Sequence, residues 1–503
     1  MLTQTIGSHI GLELEMAVVR VADGHSHAVT RYFDALAGLK QRRDLAVTET
    51  RLGARLVGLD TLEGHSGLDN GHNLLETAFA PITGGPGGLD RLAALVVQEL
   101  REAEQALAAE GAALLNASEH PDCSLGADWY ARARTERPIY RELVDYRGWR
   151  HHLGIDAKAQ NGPCTSAPVM QAVRALNVML ALAPAGIALF ANSPLESGRD
   201  TGLKENRLTL WDRMFRDSRF PGDHYLQRLP DRPFNDLGDH YRWMYGAGTV
   251  SRALPLALGQ DYKTVTPVYL QGDPSLTDFL QSAGWPGRSG ETGQSIDLAP
   301  QGAYFVYGQY AHFLDARWRY RVDRDPELHE LLSAWSRPGG IEELLLACGA
   351  DGYIEGRAPG SVFADAQLLA EAGRAVAASA PMAPSAWQLG LLCNLDEAEQ
   401  LWRQWGWDRL SGLRGVAIRD ALDDDQVHAL ARETLAVARA GLPAGEQHWL
   451  DYADHAVQTR RTGADRLRGL WQDHAGQEDR LARVCAQRRV CVVEPSFRVS
   501  SEH

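Results

Sequence analysis

Short segments of the chain place charged side chains together on one face of an extended strand. In residues 11–16 the side chains alternate between two faces, so Glu13 and Glu15 share one face and the apolar residues share the other. Two like charges about 7 Å apart along a strand repel each other unless water or a cation lies over them. Taken alone, this segment is more simply interpreted as an edge strand with a solvated face.

The same arrangement recurs, and the recurrence favours a site. Three further predicted strands carry polar groups on one face. One has Glu355 and Arg357, and another has Asp156, Lys158 and Gln160. The third has Glu76, which follows a turn at Asn70-Gly71. Four such strands could line one concave sheet. Carboxylates on its surface would hold a hard cation through oxygen, and arginines would hold phosphate in a bidentate manner.

A glycine-rich polar loop follows the most apolar stretch of the chain. This loop, residues 191–211, carries Arg199, Lys204 and Arg207 among small and polar residues. Such a loop is a plausible cradle for an anion. It could equally be a surface loop with ordinary basic residues, and composition leaves both interpretations open.

Composition and charge exclude several classes of protein. The net charge of −14 over 503 residues argues against a nucleic-acid or anionic-membrane partner, because both require a basic face. The longest apolar run, residues 178–191, is shorter than the roughly 20 residues needed to span a bilayer. The six cysteines are scattered without a Cys-x-x-Cys pair, which is typical of reduced thiols. With no signal peptide at its start, the sequence predicts a soluble cytoplasmic protein.

The periodicity of apolar residues predicts a mixed α+β fold. Long helices are expected over residues 89–117, over 165–190 and throughout the part beyond residue 363. Strands are expected at residues 11–16, 72–78, 154–160, 265–270 and 352–357. Because long excursions separate these strands, we expect an antiparallel or mixed sheet faced by helices.

These segments resemble the glutamate–cysteine ligase family of the plant and proteobacterial type, which belongs to the glutamine-synthetase-like carboxylate–amine ligases. The most specific likeness is Ala-Asn-Ser-Pro at 191–194, then Gly-Arg-Asp-Thr-Gly at 198–202, then Arg207 and Trp211. The segment around Glu13 is similar to the family's Gly-x-Glu-x-Glu strand, and Glu76 precedes an Ala-Pro as in its second strand pair. Residues 353–357 resemble its late Leu-Glu-x-Arg strand, so the resemblance covers nearly the whole chain.

The resemblance implies an ATP-dependent ligase with a curved antiparallel sheet of the glutamine-synthetase type as its active-site floor. It implies a catalytic domain at 1–362, with a helical part at 363–503 packed on the same domain. It also implies that Mg²⁺ is bound by four carboxylates, Glu13, Glu15, Glu76 and Glu355. Arg357 would face the ATP phosphates. Arg207 would face the donor carboxylate or the transferring phosphoryl group. To these the strand and loop patterns add Arg199 and Lys204 for the nucleotide, Lys158 and Gln160 for substrate, and Asp156 for accepting the proton of the amine.

The reaction that the resemblance implies joins glutamate to cysteine through an acyl phosphate, giving γ-glutamylcysteine for glutathione synthesis. The sequence departs from the family at Asp156-x-Lys158-x-Gln160, at Ala358-Pro359-Gly360 and in a segment at 326–350 that looks inserted. Lys158 therefore motivates a second hypothesis, a related ligase that joins glutamate to a different amine acceptor in a specialised pathway. A non-catalytic nucleotide-binding regulator and a phosphotransferase with one co-substrate also stay open, as does the oligomeric state.

Overall fold

The computed structural model describes residues 5–122, 127–154, 158–249, 253–259, 265–309 and 312–495. Its strands are β1 (His9–Arg20), β2 (Thr48–Leu52), β3 (Arg55–Thr61), β4 (Gly64–Leu68), β5 (Leu74–Phe79), β6 (Ile82–Thr83), β7 (Ala112–Leu115), β8 (Asn161–Ser166), β9 (Leu195–Glu196), β10 (Arg199–Asp200), β11 (Leu254–Pro255), β12 (Pro267–Leu270), β13 (Trp285–Ser289), β14 (Ser295–Leu298), β15 (Ala316–Arg321) and β16 (Asp351–Gly356).

The α-helices alternate with these strands and then take over the chain. They are α1 (Tyr32–Gln41), α2 (Gly88–Ala108), α3 (Ala127–Ala133), α4 (Pro138–Tyr140), α5 (Ala172–Ala181), α6 (Ala183–Leu189), α7 (Leu210–Phe215), α8 (Leu237–Tyr245), α9 (Leu276–Leu280), α10 (Gly302–Gly308), α11 (Leu328–Trp335), α12 (Gly340–Ala347), α13 (Ala366–Ser379), α14 (Ala383–Cys393), α15 (Leu395–Trp405), α16 (Trp407–Asp420), α17 (Asp425–Gly441), α18 (Asp451–Thr459), α19 (Gly463–Asp473) and α20 (Arg480–Gln487).

One ten-stranded antiparallel sheet organises the fold. Its strand order is β15-β16-β8-β1-β5-β4-β3-β2, and β6 and β7 also pair with β1. Strands β9 and β10 form a separate hairpin, and β11 to β14 form a small four-stranded sheet. The predicted α+β class, with an antiparallel sheet and a helical carboxyl-terminal part, is confirmed.

The two faces of the large sheet differ in chemistry. Leu12, Leu14 and Met16 of β1 are buried in the main apolar core together with side chains of α2, α5 and α14. The alternate residues Glu13 and Glu15 face the other way, toward a large cavity. Strand alternation therefore divides β1 between core and cavity, as the sequence predicts.

The carboxyl-terminal helices pack against the back of this sheet. From α14, the Gln388 side-chain amide donates to the carbonyl oxygens of Pro163 in β8, at 3.0 Å, and of Ile354 in β16, at 3.1 Å. Arg488, which is fully buried, pairs with Asp365 of the same helical part at 2.5 Å and donates to the carbonyl oxygen of Asn116, just after β7, at 2.7 Å. These polar contacts attach the helical part to the strands that bear the site.

Several predicted boundaries are wrong, each for a local reason. The first long helix ends at Ala108 because Gly111, with φ +65°, turns the chain into β7. The second predicted helix divides into α5 and α6 at Leu182, since Pro184 fits the first turn of a new helix but not a helix interior. The strand predicted at 154–160 lies instead at Asn161–Ser166.

The most apolar helices belong to the core. Among the described residues, no single helix has the length and apolar composition needed to cross a membrane. The helices Val169–Ala181 and Ala183–Leu189 meet both criteria only when they are taken together across a 51° bend.

Candidate active site

A cavity of about 980 Å³ lies over the polar face of the large sheet. Of the predicted site residues, eight line it: Glu13, Glu15, Glu76, Lys158, Gln160, Arg207, Glu355 and Arg357. Residues that are far apart in the sequence therefore meet in one cavity because β16, β8, β1 and β5 are consecutive strands of the sheet.

Carboxylates crowd the part of the cavity above β1 and β5. Glu15 lies directly opposite Glu76 in the β1–β5 pair, and Glu13 is two residues farther along the same face. Burial raises the pKa of Glu15 well above its usual value, and the charges of Asp69, Glu13 and Glu76 raise it further. The Gln160 side-chain amide donates to the Glu15 carboxyl group at 3.3 Å. A cation placed here would relieve repulsion among carboxylates that water cannot fully solvate.

Arginines surround the Glu355 carboxylate of β16. Glu355 Oε1 accepts from Arg317 Nη2 at 2.5 Å and from Arg357 Nη1 at 2.7 Å, and Oε2 accepts from Arg319 Nη1 at 2.9 Å. Burial alone would raise the pKa of Glu355, but the three guanidinium groups outweigh it and hold this pKa well below the usual range. Glu355 is therefore ionised, and both of its oxygens accept hydrogen bonds from arginine side chains.

The Ala-Asn-Ser-Pro loop holds Arg207 at the cavity wall. Arg207 Nε donates to Glu205 Oε1 at 2.8 Å, and its Nη2 donates to the carbonyl oxygen of Ala358 at 3.1 Å. Its backbone amide donates to the Ser193 hydroxyl at 3.1 Å. Because Glu205 is fully buried, the guanidinium is fixed by contacts behind it and presents a rigid positive edge to the cavity.

An aromatic wall closes the cavity beside Lys158. The Lys158 ammonium lies 4.8 Å from the centre of the Trp211 ring, which stacks on Phe313 with centroids 4.1 Å apart. His151 lines the cavity nearby, with its Nε2 3.2 Å from Asn70 Oδ1. Burial, followed by the charge of Lys158, lowers the pKa of His151 well below its usual value, so the imidazole is neutral.

The structure does not bring every predicted residue to the cavity. Arg199 is exposed in β10. Lys204 is buried, and its ammonium pairs with Asp423 at 2.6 Å and Asp465 at 2.8 Å. It therefore ties the loop to the carboxyl-terminal helices instead of facing a nucleotide. Asp156 lies outside the described residues.

Sequence reasoning missed several residues that line the cavity: Asp69, Asn70, Arg137, His151, Arg317 and Arg319. For the two arginines a signal was present, because Ala-Arg-Trp-Arg-Tyr-Arg at 316–321 alternates in the same way as the segment around Glu13. His151 lies in a 3₁₀ turn, where strand alternation gives no signal.

The carboxylates run along the sheet and do not converge on a point. Within the part of the chain that the structure describes, no group of three or more His, Cys, Asp or Glu side chains is arranged to hold a metal ion. The chemistry of the donors around Glu15 nevertheless fits Mg²⁺, which takes oxygen ligands and is bound through one or two carboxylates together with phosphates. The buried carboxyl group with its raised pKa is the observation that supports this fit.

Comparison with known proteins finds one matching family model. Residues 9–231 match the family model described as glutamate-cysteine ligase family 2. The resemblance stated from the sequence is thereby confirmed, together with the prediction of a ligase enzyme. The match covers β1, β5, β8 and the Ala-Asn-Ser-Pro loop, which carry Glu13, Glu15, Glu76 and Arg207. No curated protein matches the sequence.

Two solved structures are similar to this chain in outline. One is the glutamate–cysteine ligase of Francisella tularensis in complex with AMP, with a TM-score of 0.43 and 15% identity, covering 98% of this chain and 91% of that chain. Another is a bifunctional glutathione synthetase from Pasteurella multocida, with a TM-score of 0.38 and 11% identity, covering 95% of this chain and 51% of that chain. Likeness at this level transfers no site chemistry.

Proposed function

We propose that the protein uses Mg²⁺-ATP to activate the side-chain carboxylate of glutamate as an acyl phosphate and passes it to the amine of cysteine. The observation that carries this proposal is a single cavity with carboxylates at one part and arginines at another. Transfer of a phosphoryl group to a carboxylate brings several negative charges together, so cations must neutralise them. The match to glutamate-cysteine ligase family 2 supports glutamate and cysteine as the substrates.

Each group of side chains has a role in this proposal. Glu13, Glu15 and Glu76 would hold Mg²⁺, which when bound supplies charge neutralisation at phosphate oxygens. Arg357 faces the phosphates, and Arg207 faces the donor carboxylate or the phosphoryl group in transfer. Both are fixed by neighbouring groups, so they need little reorganisation as charge develops.

The aromatic wall would serve the acceptor half of the reaction. An acyl phosphate must be kept from water, and Trp211 and Phe313 offer an apolar cover beside the place where the acceptor would enter. Lys158 and Gln160 would bind substrate, with Lys158 holding a carboxylate of the acceptor. Asp156 is our proposed proton acceptor for the amine.

A second candidate function differs only in the acceptor. Lys158 lies over an aromatic ring and not in a purely polar pocket, an arrangement that suits an acceptor with both a carboxylate and a larger apolar part. In that case the protein joins glutamate to a different amine in a specialised pathway.

A matrix of substrates tests both candidates. Phosphate release from Mg²⁺-ATP would be measured with L-glutamate and each of a series of amines, and products would be identified by mass. We expect ADP formation to require both glutamate and an acceptor, with L-cysteine giving the highest kcat/KM and a product of the mass of γ-glutamylcysteine. A higher kcat/KM for another amine would select the second candidate. Equal ADP formation without any acceptor would overturn the ligase proposal.

A further inference from the structure

The two edges of the large sheet have different surroundings. At one edge, alternate residues of β15 are buried, and the Tyr320 backbone amide donates to the side chain of Gln309 at 2.9 Å. At the other edge lies β2, which pairs with β3 on one side. Four of its five residues are exposed, and within the described part of the chain no further strand pairs with its outer side. An open edge of this kind can accept a strand of another molecule.

The β2–β3 hairpin determines which backbone groups face outward. A two-residue turn at 53–54 joins the strands, with Leu52 opposite Arg55. Residues that flank such a turn hydrogen-bond to each other, so the backbone groups of Glu49 and Arg51 point to the open side. The register shift in this pair leaves β2 regular, because the extra residue lies in β3.

The side chains of β2 are complementary to those of a second, antiparallel copy of the same strand. Glu49 and Arg51 share one face, and both are exposed. When two copies of β2 are paired about a centre at Thr50, each Glu49 lies directly opposite an Arg51 of the other copy. Opposite charges in that position stabilise a strand pair, and like charges destabilise it. Lysine, which many natural edge strands use to repel other strands, is absent from β2.

The backbone pattern selects the same centre as the charges. Because the backbone groups of Glu49 and Arg51 point outward, these two residues would exchange hydrogen bonds with the residues opposite them, about four bonds in all. The two copies of Thr50 would then form the central pair without hydrogen bonds. Such a contact is the same on both molecules and closes after two copies.

We propose that two copies of this chain pair through β2 as a two-fold dimer, which joins their large sheets into one continuous sheet. Each Glu49 exchanges the Arg51 of its own strand, whose Nη2 donates to it at 2.7 Å, for that of the partner strand. The exchange costs little, because an exposed ion pair within one strand contributes little to stability. Thr50 and Leu52 also line the cavity, so the partner strand borders it. The inference goes beyond the proposed ligase function and does not depend on it.

Analytical ultracentrifugation of the full chain tests the dimer. A five-residue strand pair buries a small area, so we expect a weak dimer whose share rises with concentration between about 1 and 300 µM. Glu49→Arg and Arg51→Glu each place like charges opposite one another, and each should raise the dimer Kd about 10-fold or more. An equimolar mixture of these two variants should dimerise again, because opposite charges then face each other at both positions.

Glu343→Arg is the matched control for the charge reversals. Glu343 is exposed and pairs with Arg337 at 3.0 Å on α12, and its reversal changes the net charge as much as Glu49→Arg does. Its dimer Kd should stay within twofold of wild type. Thermal melts check that every variant is folded.

A disulfide across the two-fold axis tests the register independently of charge. Opposite residues without hydrogen bonds have Cα atoms about 4.5 Å apart, which suits a disulfide. With oxidised glutathione as the oxidant, Thr50→Cys should therefore form a covalent dimer on non-reducing electrophoresis. Leu62→Cys is the control, since Leu62 is 88% exposed in the turn between β3 and β4, away from the axis. This test still decides the question if a charge variant does not fold.

Four results would overturn the dimer through β2. A wild type that stays monomeric over the whole concentration range would show that the edge is only solvated. A wild-type Kd in Glu49→Arg and Arg51→Glu would place a dimer on another surface. Failure of their mixture to dimerise would reject the charge pairing, and crosslinking of Thr50→Cys no faster than that of Leu62→Cys would reject the register.

Discussion

Replacing Glu15 by glutamine should stabilise the protein while it abolishes turnover. Glu15 is 7% exposed, lies opposite Glu76 and shares its face of β1 with Glu13. Its raised pKa shows that the ionised form is unfavourable in the folded chain, first through burial and then through Asp69 and the two neighbouring glutamates. Glutamine keeps the side-chain oxygen that accepts from Gln160 and removes the charge.

The expected gain follows from the strand geometry. Side chains directly opposite on antiparallel strands have Cβ atoms about 5 Å apart, so the two carboxylates are separated by roughly 6 Å. At an effective dielectric constant of about 20, two unit charges at that distance repel by about 3 kcal/mol. Because the carboxylates can turn apart and admit water, we expect Glu15→Gln to raise the free energy of unfolding by about 1–3 kcal/mol at neutral pH without metal.

The gain should depend on pH in a defined direction. A carboxyl group whose pKa is raised in the folded state costs stability once the pH exceeds its unfolded pKa, because the unfolded chain then gains free energy by releasing the proton. The wild type should therefore lose stability relative to Glu15→Gln as pH rises from the unfolded pKa of about 4.3 through the raised folded value. Below about pH 4 the two proteins should be equally stable in this respect, and the difference should reach its full size above the folded pKa.

Urea unfolding and ATP turnover measure the two effects. Glu478→Gln is the control, because Glu478 is an exposed glutamate near the carboxyl terminus and its loss should change neither quantity. Addition of Mg²⁺ should stabilise the wild type and leave Glu15→Gln little changed. A destabilised Glu15→Gln variant, or one that keeps more than a small fraction of wild-type turnover at saturating Mg²⁺, would refute the reasoning.

The remaining predictions concern four separate places in the molecule. Glu355→Gln should abolish turnover. Unlike Glu15→Gln, it should also lower the midpoint of thermal unfolding measured without ligand, because three arginines lose the anion that they share. An unchanged or raised midpoint would contradict this prediction. Lys158→Met should raise the acceptor's KM about 10-fold or more with the donor's KM little changed, and values within twofold of wild type for both would reject the carboxylate contact. Arg488→Met should cost about 3–5 kcal/mol in urea unfolding, because it leaves Asp365 buried without its cation. A loss below about 1 kcal/mol would refute the expected cost of that unpaired charge. Burial lowers the pKa of His72 from 6.5 to about 4. The free energy of unfolding should therefore fall by about 3 kcal/mol as the pH drops from about 6.5 to about 4, because the unfolded chain binds the proton first. In urea unfolding at each pH, His72→Asn should lack this loss of stability.

The part of the site that the sequence predicted follows from the alternation of side chains along single strands. Glu13 and Glu15 in β1, and Glu355 and Arg357 at β16, share a face because side chains in a strand repeat every two residues. That rule needs no knowledge of the fold, and the structure places all four residues at the cavity. The same rule applied to residues 154–160 put the strand too early, and β8 begins at Asn161.

Contacts between distant segments explain what the sequence could not show. The sequence around Lys204 is that of an exposed loop cation, but its partners Asp423 and Asp465 lie more than 200 residues away in the chain. Whether a basic residue faces a ligand or an internal carboxylate depends on such pairings, which periodicity does not report. For Arg317 the alternation in the sequence indicates which face of the strand it lies on. That this face places it beside Glu355 depends on the order of strands in the sheet, which the alternation does not reveal.

The placement of Glu355 orders the events at the proposed site. Sequence resemblance makes it a ligand for Mg²⁺, whereas in the structure both of its oxygens accept from arginine. A carboxylate held by three guanidinium groups is a poor ligand for a second cation until those groups find another anion. Under the proposed function Arg357 faces the phosphate chain, so the arriving nucleotide supplies an anion that competes with Glu355 for this arginine. Under this proposal the nucleotide binds before Glu355 can hold a metal, so the full acidic site forms only when ATP is present.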